Sequence, residues 1–216
     1  MTRPYVLLSA AVSLDGYLDD AGPERLILSG DADFDEVDQL RAECDAILVG
    51  AGTVRADDPR LRVRAPHRSS ARVAAGRPEH PLRVVVSGSG DLMPERRIWP
   101  ALVYTTDPRA DPLRDRLGAR AEVVSLGAHI ELDGLLADLG RRGVGRLLVE
   151  GGGQIHTQFL GASSFDELRL AVAPIIVGDV EAPRFLRPGR YPGERLRLVA
   201  TRAVGDVAVL TYKSPK

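Results

Sequence analysis

The sequence predicts an α/β fold with a mixed, mostly parallel central sheet. Short apolar runs rich in Val, Leu and Ile alternate with segments of helical spacing, which is typical of a parallel sheet covered by helices on both faces. The last two apolar runs are separated by Val204-Gly205-Asp206, and such a short glycine-containing turn favours an antiparallel hairpin. We therefore predict a three-layer fold in which a C-terminal hairpin extends the sheet.

The individual elements follow from the residue patterns in chain order. Apolar runs bounded by Gly, Pro or Asp predict buried strands, and helical spacing between them predicts helices. The predicted strands are Tyr5–Val12, Ala46–Gly50, Leu82–Ser87, Ala101–Thr105, Ala121–Ser125, Arg146–Glu150, Glu167–Val177, Leu196–Ala203 and Val207–Lys213. The predicted helices are Asp33–Cys44, Asp111–Gly118, Glu131–Arg142 and Gln154–Gly161. Gly143 is expected to end the third of these helices.

Length and charge limit the classes of protein to which the chain can belong. A chain of 216 residues can bury one core, so residues 1–216 are predicted to form a single domain. The formal net charge of −1 argues against a nucleic-acid partner or a membrane surface. Basic residues cluster between Arg60 and Arg83, where interspersed Pro, Ala, Ser and Gly predict a solvated loop.

The cysteine and histidine content gives no sign of a metal site. Cys44 is the sole cysteine, so it is expected to be a buried structural thiol and no intramolecular disulfide can form. The histidines, at positions 67, 80, 129 and 156, show no metal-ligand spacing, and no metal is predicted. No signal pattern and no apolar run of roughly 18 residues is found, which predicts a cytoplasmic protein.

A glycine turn follows the strand Arg146–Glu150. Gly151-Gly152-Gly153 leads directly into the helix that begins at Gln154. Such a turn aims backbone N–H groups and a helix N-terminus at one point, which suits a phosphate. Glycine also lets a ligand approach the backbone closely because it has no Cβ atom.

A second glycine turn follows the strand Ala46–Gly50. The strand continues into Ala51-Gly52-Thr53, with Asp57 a few residues further on. Arg55 stands where a G-x-G-x-x-G motif needs its third glycine, and no Gly-Lys-Ser/Thr of a P-loop follows. The chain therefore has two turns suited to a nucleotide, and neither belongs to the two commonest nucleotide-binding folds.

Together with the opening stretch, these segments resemble the RibD C-terminal family, the reductase domain of the bacterial riboflavin pathway. The resemblance rests on Ala11 to Gly16, on Arg41 with Ile47 to Pro59, on Leu61 and Arg64, and on Glu150 to Gly153. Pro174 to Gly178 is also similar to the family, and the resemblance extends from about Tyr5 to about Tyr212. It implies the dihydrofolate-reductase fold.

The resemblance also implies an activity. Family members reduce the ribosyl C1′ of 5-amino-6-(5-phosphoribosylamino)uracil, or of a closely related phosphoribosylaminopyrimidine, with NADPH, and they form homodimers. Hydride transfer requires little acid–base chemistry from the protein, so a missing catalytic triad does not argue against an enzyme. Reduction of another pyrimidine, or of a pterin such as dihydrofolate, is an enzymatic alternative. A non-catalytic NADP-binding module is an alternative of a different class.

The resemblance also implies which positions of this sequence form the site. The residues implied to bind the cofactor are Ala11, Gly50, Gly52, Thr53, Asp57, Ser87, Gly151, Gly152, Gly153, Gln154, Ile155, His156, Thr157 and Gln158. The residues implied to bind the substrate are Arg41, Leu61, Arg64 and Glu150.

Chemical roles are proposed for the charged residues among them. Arg41 and Arg64 can bind a phosphate through the planar guanidinium group. Glu150 is expected to accept hydrogen bonds from the pyrimidine, and Asp57 to relay a proton, which requires that burial raise its pKa. Asp15, before a glycine, is expected to form a turn.

The segment from Gly22 to Leu28 departs from the family pattern. Arg25 stands where the family has a serine that contacts the substrate, and Ile27 stands where it has a tryptophan near the nicotinamide. These departures leave the exact substrate open.

Overall fold

The computed structural model describes residues 3–215, in which strands and helices alternate. The strands are β1 (Tyr5–Val12), β2 (Ala46–Gly50), β3 (Leu82–Ser87), β4 (Ala101–Thr105), β5 (Ala121–Ser125), β6 (Arg146–Gly151), β7 (Glu167–Val172), β8 (Arg197–Val204) and β9 (Val207–Lys213). The helices are α1 (Asp31–Glu43), α2 (Ala51–Asp57), α3 (Pro66–Ala74), α4 (Asp107–Leu117), α5 (Leu132–Arg141) and α6 (Gly153–Gly161). The predicted α/β class, with a mixed, mostly parallel sheet and a C-terminal hairpin, is confirmed.

The chain forms two compact units. The first unit comprises the chain up to Tyr5 together with Asp38–Leu148, and the second comprises Val6–Val37 and the chain from Val149 onward. The single domain over residues 1–216 stays a prediction.

The first unit is built on parallel strands. Its strand order is β5-β4-β3-β2 followed by the start of β6, and β2 pairs with β3, β3 with β4 and β4 with β5, all in parallel. Every residue of β2 and β4 is buried, as expected for strands covered on both faces. Helix α5 contributes three buried leucines, and Gly143, with φ +84°, follows its end as predicted.

The second unit contains the hairpin. Strand β1 pairs in parallel with β7, whereas β9 pairs antiparallel with both β7 and β8. Val204 pairs with Val207 across the turn, where Gly205 has φ +62°. Strand β8 is the last of the sheet, and its residues are exposed or half-buried throughout.

The prediction of a solvated loop between Arg60 and Arg83 is wrong for the middle of that segment, because residues 66–74 form α3. Arg72 is only 4% exposed, and its guanidinium group donates hydrogen bonds to the carbonyl oxygens of Ala42 (2.7 Å) and Cys44 (2.8 Å). The segment is therefore anchored through polar contacts to the end of α1, which its low apolar content did not reveal.

Several further bounds differ from the predictions, most of them by one or two residues, and α4 begins at Asp107 instead of Asp111. Strand β7 ends at Val172 instead of Val177, because Pro174 has no N–H to donate to a strand ladder. Residues 51–57, which include the second glycine turn and for which no helix is predicted, form the short helix α2. The prediction for Cys44 is confirmed: its thiol is buried, and burial raises its pKa to about 11.

Within residues 3–215, no helix combines the length and the apolar character needed to cross a membrane. Among the same residues, no group of His, Cys, Asp and Glu is arranged to hold a metal ion.

Candidate functional site

The glycine turn between β6 and α6 lies in the second unit. Glu150 and Gly151 end β6, with Glu150 half-buried, and Gly152 is the N-cap residue of α6 with φ −73° and ψ −162°. The Gly151–Gly152 peptide bond is cis. Since Gly152 has no side chain to cap the first-turn N–H groups of α6, these groups suit an anionic ligand.

Position 151 requires a glycine because of its backbone conformation and because His156 packs against it. Its φ of +104° disfavours any residue with a side chain, and a Cβ atom placed on it would lie 2.6 Å from Nε2 of His156. His156 is fully buried against Phe185, with 5.0 Å between the ring centroids. Neither of its ring nitrogens has a hydrogen-bond partner, and burial lowers its pKa to about 4. The neutral imidazole therefore fills the space that a side chain at position 151 would occupy.

Gly153 contacts a different segment of the same unit. A Cβ atom at this position would collide with the carbonyl oxygen of Arg184. The hydroxyl of Thr157 donates to the Gly153 carbonyl at 2.7 Å and accepts from the N–H of Arg187 at 2.9 Å. Residues 184–187 thus hold the start of α6 from one side.

The remaining side chains of α6 divide according to the helical period. Gln154 and Gln158 are exposed, whereas Ile155 is buried on the same face as His156. Of the α6 side chains predicted to line the cofactor, only the two glutamines and Thr157 are accessible.

The glycine turn between β2 and α2 lies in the first unit. Gly50 is the N-cap residue of α2 with φ −80°, and a Cβ atom added to Gly52 would meet no heavy atom within 4 Å. Thr53 is half-buried, and Asp57 is the last residue of the helix. The backbone around Gly52 is therefore open.

Ser87 lies beside this turn at the end of the neighbouring strand. Gly50 pairs with Val86 in the parallel register of β2 and β3, which brings Ser87 to the same edge. Ser87 is only 1% exposed, and its hydroxyl oxygen accepts a hydrogen bond from the N–H of Gly90 at 3.1 Å. The side chain stabilises the turn that follows β3.

The structure brings the predicted substrate residues of the first unit together. Arg41 on α1 donates from Nη1 to the carbonyl oxygen of Arg62 at 3.3 Å. Leu61 is 3% exposed, with φ +44°, and Arg64 is exposed. Asp38, one turn before Arg41, accepts hydrogen bonds from the N–H groups of Arg64 (2.5 Å) and Ala65 (3.1 Å). Sequence reasoning missed Asp38 because no local pattern links residues so far apart.

Ala11 and Asp15 belong to the second unit. Ala11 is partly buried and packs against a cluster formed by Ala171, Val207 and Val209. Asp15 accepts hydrogen bonds from the Ser13 hydroxyl (2.6 Å) and from the N–H groups of residues 177 (3.1 Å) and 178 (2.7 Å). The Ser13 bond is the main cause that lowers the pKa of Asp15 to about 2. These contacts agree with the predicted turn-forming role.

Fold and site define a class of protein: an α/β protein with a mostly parallel sheet, in which β2 and β6 each lead through a glycine turn into a helix. A family model described as the RibD C-terminal domain matches residues 4–210. The chain belongs to the RibD C-terminal domain family.

Individual relatives agree with this assignment. A protein of Archaeoglobus fulgidus named 2,5-diamino-6-ribosylamino-4(3H)-pyrimidinone 5′-phosphate reductase is 39% identical over 186 residues, which cover 84% of this chain and 85% of the relative. A structure of Acinetobacter baumannii RibD superposes with a TM-score of 0.80 at 25% identity, covering 99% of this chain but 59% of that chain. This chain thus spans less than two thirds of that protein.

The predicted dihydrofolate-reductase-like fold is also confirmed. Dihydrofolate reductase from Enterococcus faecalis, solved as a complex with NADP(H), gives a TM-score of 0.55 over 98% of this chain and 97% of that chain. The identity of 13% limits this likeness to the fold.

Proposed function

We propose that the protein is an NADPH-dependent reductase of a phosphoribosylaminopyrimidine. The substrate is 5-amino-6-(5-phosphoribosylamino)uracil or its close relative 2,5-diamino-6-ribosylamino-4(3H)-pyrimidinone 5′-phosphate, after which the Archaeoglobus fulgidus protein is named. The observation that carries the proposal is the turn Glu150–Gly153, which combines an acid at a strand end with a glycine-lined helix N-terminus. Membership of a reductase family supports the same reaction type.

The glycine turn fits the diphosphate of a nicotinamide cofactor. Gly151 is held in a conformation that disfavours side chains, and Gly152 leaves the start of α6 uncapped. When bound, NADPH would supply the hydride that reduces C1′ of the ribosyl group. The accessible Gln154, Thr157 and Gln158 and the open backbone at Gly52 are proposed to contact the cofactor as well.

The charged residues are proposed to act on the substrate. Arg41 and Arg64 bind the substrate phosphate, with Leu61 beside them, because guanidinium groups offer a fork of donors to phosphate oxygens. Glu150 accepts hydrogen bonds from the pyrimidine amine edge. Asp57 relays a proton as C1′ is reduced, which requires the carboxyl group to be protonated near neutral pH.

The reaction is tested by mixing the protein with NADPH and each of the two pyrimidines and following NADPH absorbance. Oxidation that depends on a pyrimidine supports the proposal, and the faster substrate identifies the natural one. Parallel reactions with dihydrofolate and with NADH are expected to be much slower. Tight NADPH binding without turnover of any substrate would instead support the non-catalytic module.

Glu150 and Asp57 are tested by Glu150→Gln and Asp57→Asn, with Asp115→Asn on the exposed face of α4 as the control. Glu150→Gln should mainly raise the substrate KM. Asp57→Asn should lower kcat about a hundredfold, leave NADPH affinity nearly unchanged and flatten the pH–rate profile. If Asp57→Asn instead loses NADPH binding at unchanged kcat, Asp57 supports the nucleotide turn. The proton would then come from Glu150 or water.

We also propose a homodimer, the commonest closed assembly of soluble proteins. The last strand of the sheet exposes Leu198 (53%) and Val199 (41%), and Ile176 after β7 is 74% exposed. Light scattering should report about twice 23.3 kDa at micromolar concentration, and the mass of a monomer would contradict the proposal.

A further inference from the structure

Asp38 is a buried carboxylate that binds the residues just before α3 and one residue in the first turn of that helix. Its side chain is 5% exposed. Oδ1 accepts the N–H of Arg64 at 2.5 Å, and Oδ2 accepts the N–H of Ala65 and Nη1 of Arg68, both at 3.1 Å. Burial by itself would raise the pKa of Asp38, but the two backbone N–H groups and Arg68 lower it below its ordinary value. The ionised carboxylate therefore holds successive backbone amides at the start of α3.

The same segment has an unusual backbone. Leu61 is nearly fully buried with φ +44°, and Asp58 has φ +43°. A left-handed conformation is unfavourable for a residue with a side chain, so the surrounding contacts must enforce it. Such strain is concentrated in proteins at positions that serve ligands.

Side chains from elsewhere in the unit hold this segment at three places. The carboxylate of Asp58 accepts hydrogen bonds from the N–H and Nε of Arg97 at 2.7 and 3.0 Å. Arg41 binds the carbonyl oxygen of Arg62, and Asp38 binds the amides of residues 64 and 65. Asp38 and Arg41 are one helical turn apart on α1, so this helix forms hydrogen bonds to the segment on both sides of Val63.

We propose that Asp38 is a positioning residue for substrate binding. By fixing the backbone at Arg64 and Ala65, it places Leu61 and Arg64 where they can contact the phosphate-bearing end of the substrate. It acts through the backbone and does not touch the substrate itself. This inference rests on the proposed function, in which Leu61 and Arg64 bind the substrate. It adds a residue that the family pattern of Arg41, Leu61 and Arg64 does not include.

The chain offers a matched control. Asp45 also accepts two successive backbone amides, from Gly145 at 3.0 Å and Arg146 at 2.9 Å, and it pairs with Arg77 at 2.8 Å. Its partners lie at the start of β6 and after the end of α3, and none of them lies on the segment of Leu61 and Arg64. Loss of either carboxylate should therefore affect stability, but only loss of Asp38 should affect substrate affinity.

The variants Asp38→Asn and Asp45→Asn test this difference. An asparagine keeps one acceptor oxygen, but its NH₂ group faces an amide donor that the carboxylate accepted. Calorimetry with ribose 5-phosphate, which carries the phosphate of the proposed substrate without its base, should show about tenfold weaker binding to Asp38→Asn than to the wild type. The pyrimidine KM should rise by a similar factor, with kcat and NADPH affinity nearly unchanged. Asp45→Asn should bind both ligands like the wild type.

A second variant applies if Asp38→Asn does not fold. Ala65→Pro removes the N–H that Oδ2 accepts, and Ala65 has φ −71°, which proline adopts. Ala65→Pro should raise the pyrimidine KM by a smaller factor than Asp38→Asn.

Equal effects of the two asparagine variants, or no effect of Asp38→Asn, would overturn the inference. Failure of the wild type to bind ribose 5-phosphate would overturn it as well. If the wild type binds ribose 5-phosphate but does not oxidise NADPH with either pyrimidine, the proposed function fails while the positioning role of Asp38 stands.

Discussion

The two glycine turns have the same order of elements but use glycine for different physical reasons. Each follows a buried strand and starts a helix whose N-cap residue is a glycine, Gly50 for α2 and Gly152 for α6. At the first turn, space remains open around Gly52. At the second, the glycines on either side of the N-cap are enclosed by His156 and by the carbonyl of Arg184.

Equivalent helix positions show the same contrast. The residue four positions after the N-cap is buried in both helices, and it is Val54 in α2 and His156 in α6. The side chain of Val54 has no polar atom, whereas both ring nitrogens of His156 lack a partner. A strand–glycine–helix pattern therefore does not reveal whether a glycine leaves room for a ligand or allows close packing of the protein.

The largest expected effect comes from adding a methyl group to each turn. Gly153→Ala places Cβ against the Arg184 carbonyl and should cost about 3 kcal/mol of unfolding free energy. Gly52→Ala lies in a helix with open space and should be neutral or stabilise by roughly 0.5–1 kcal/mol. Urea denaturation measures both, and equal stabilities would show that the two turns do not differ in packing.

The next effect is a pH dependence that only the second turn should have. His156 has a pKa of about 4 in the folded chain against 6.5 for a free histidine, so the unfolded chain binds a proton first as pH falls. Unfolding free energy should therefore fall by about 2 kcal/mol from about pH 7 to about pH 5.

His156→Leu should remove that part of the pH dependence, and His129→Leu, which changes an exposed histidine, should keep it. Urea titrations at both pH values measure the difference. If the wild type and His156→Leu lose the same stability over this range, His156 is not a buried neutral imidazole.

The smallest expected change in free energy concerns the cofactor. Gly152 has backbone angles that other residues adopt, so Gly152→Val should fold. Its side chain should obstruct the phosphates and weaken NADPH binding about tenfold or more, as measured by calorimetry. Gly134→Val, in α5 with open space around it, is the control and should bind NADPH like the wild type. Unchanged affinity of Gly152→Val would exclude this turn as the phosphate site.

Much of the fold was predictable because its signals are local. The leucines of α5, the glycine after it and the two-residue turn of the hairpin each act within a few positions of the chain. The glycine turns were likewise visible as patterns. The error at α3 had a physical reason: Arg72 is buried through hydrogen bonds to carbonyl groups of a segment about 30 residues earlier, and apolar content does not report such contacts.

The sequence by itself determined the α/β class, the family and the positions of both glycine turns, because periodicity and turn chemistry depend on neighbouring residues. Only the tertiary structure decided what those residues contact. It packed Gly151 against His156 and Gly153 against the carbonyl of Arg184. It also placed the carboxylate of Asp38 where it accepts hydrogen bonds from the amides of a segment 26 residues away. Such contacts join positions distant in the chain, and they form only when packing brings those positions together.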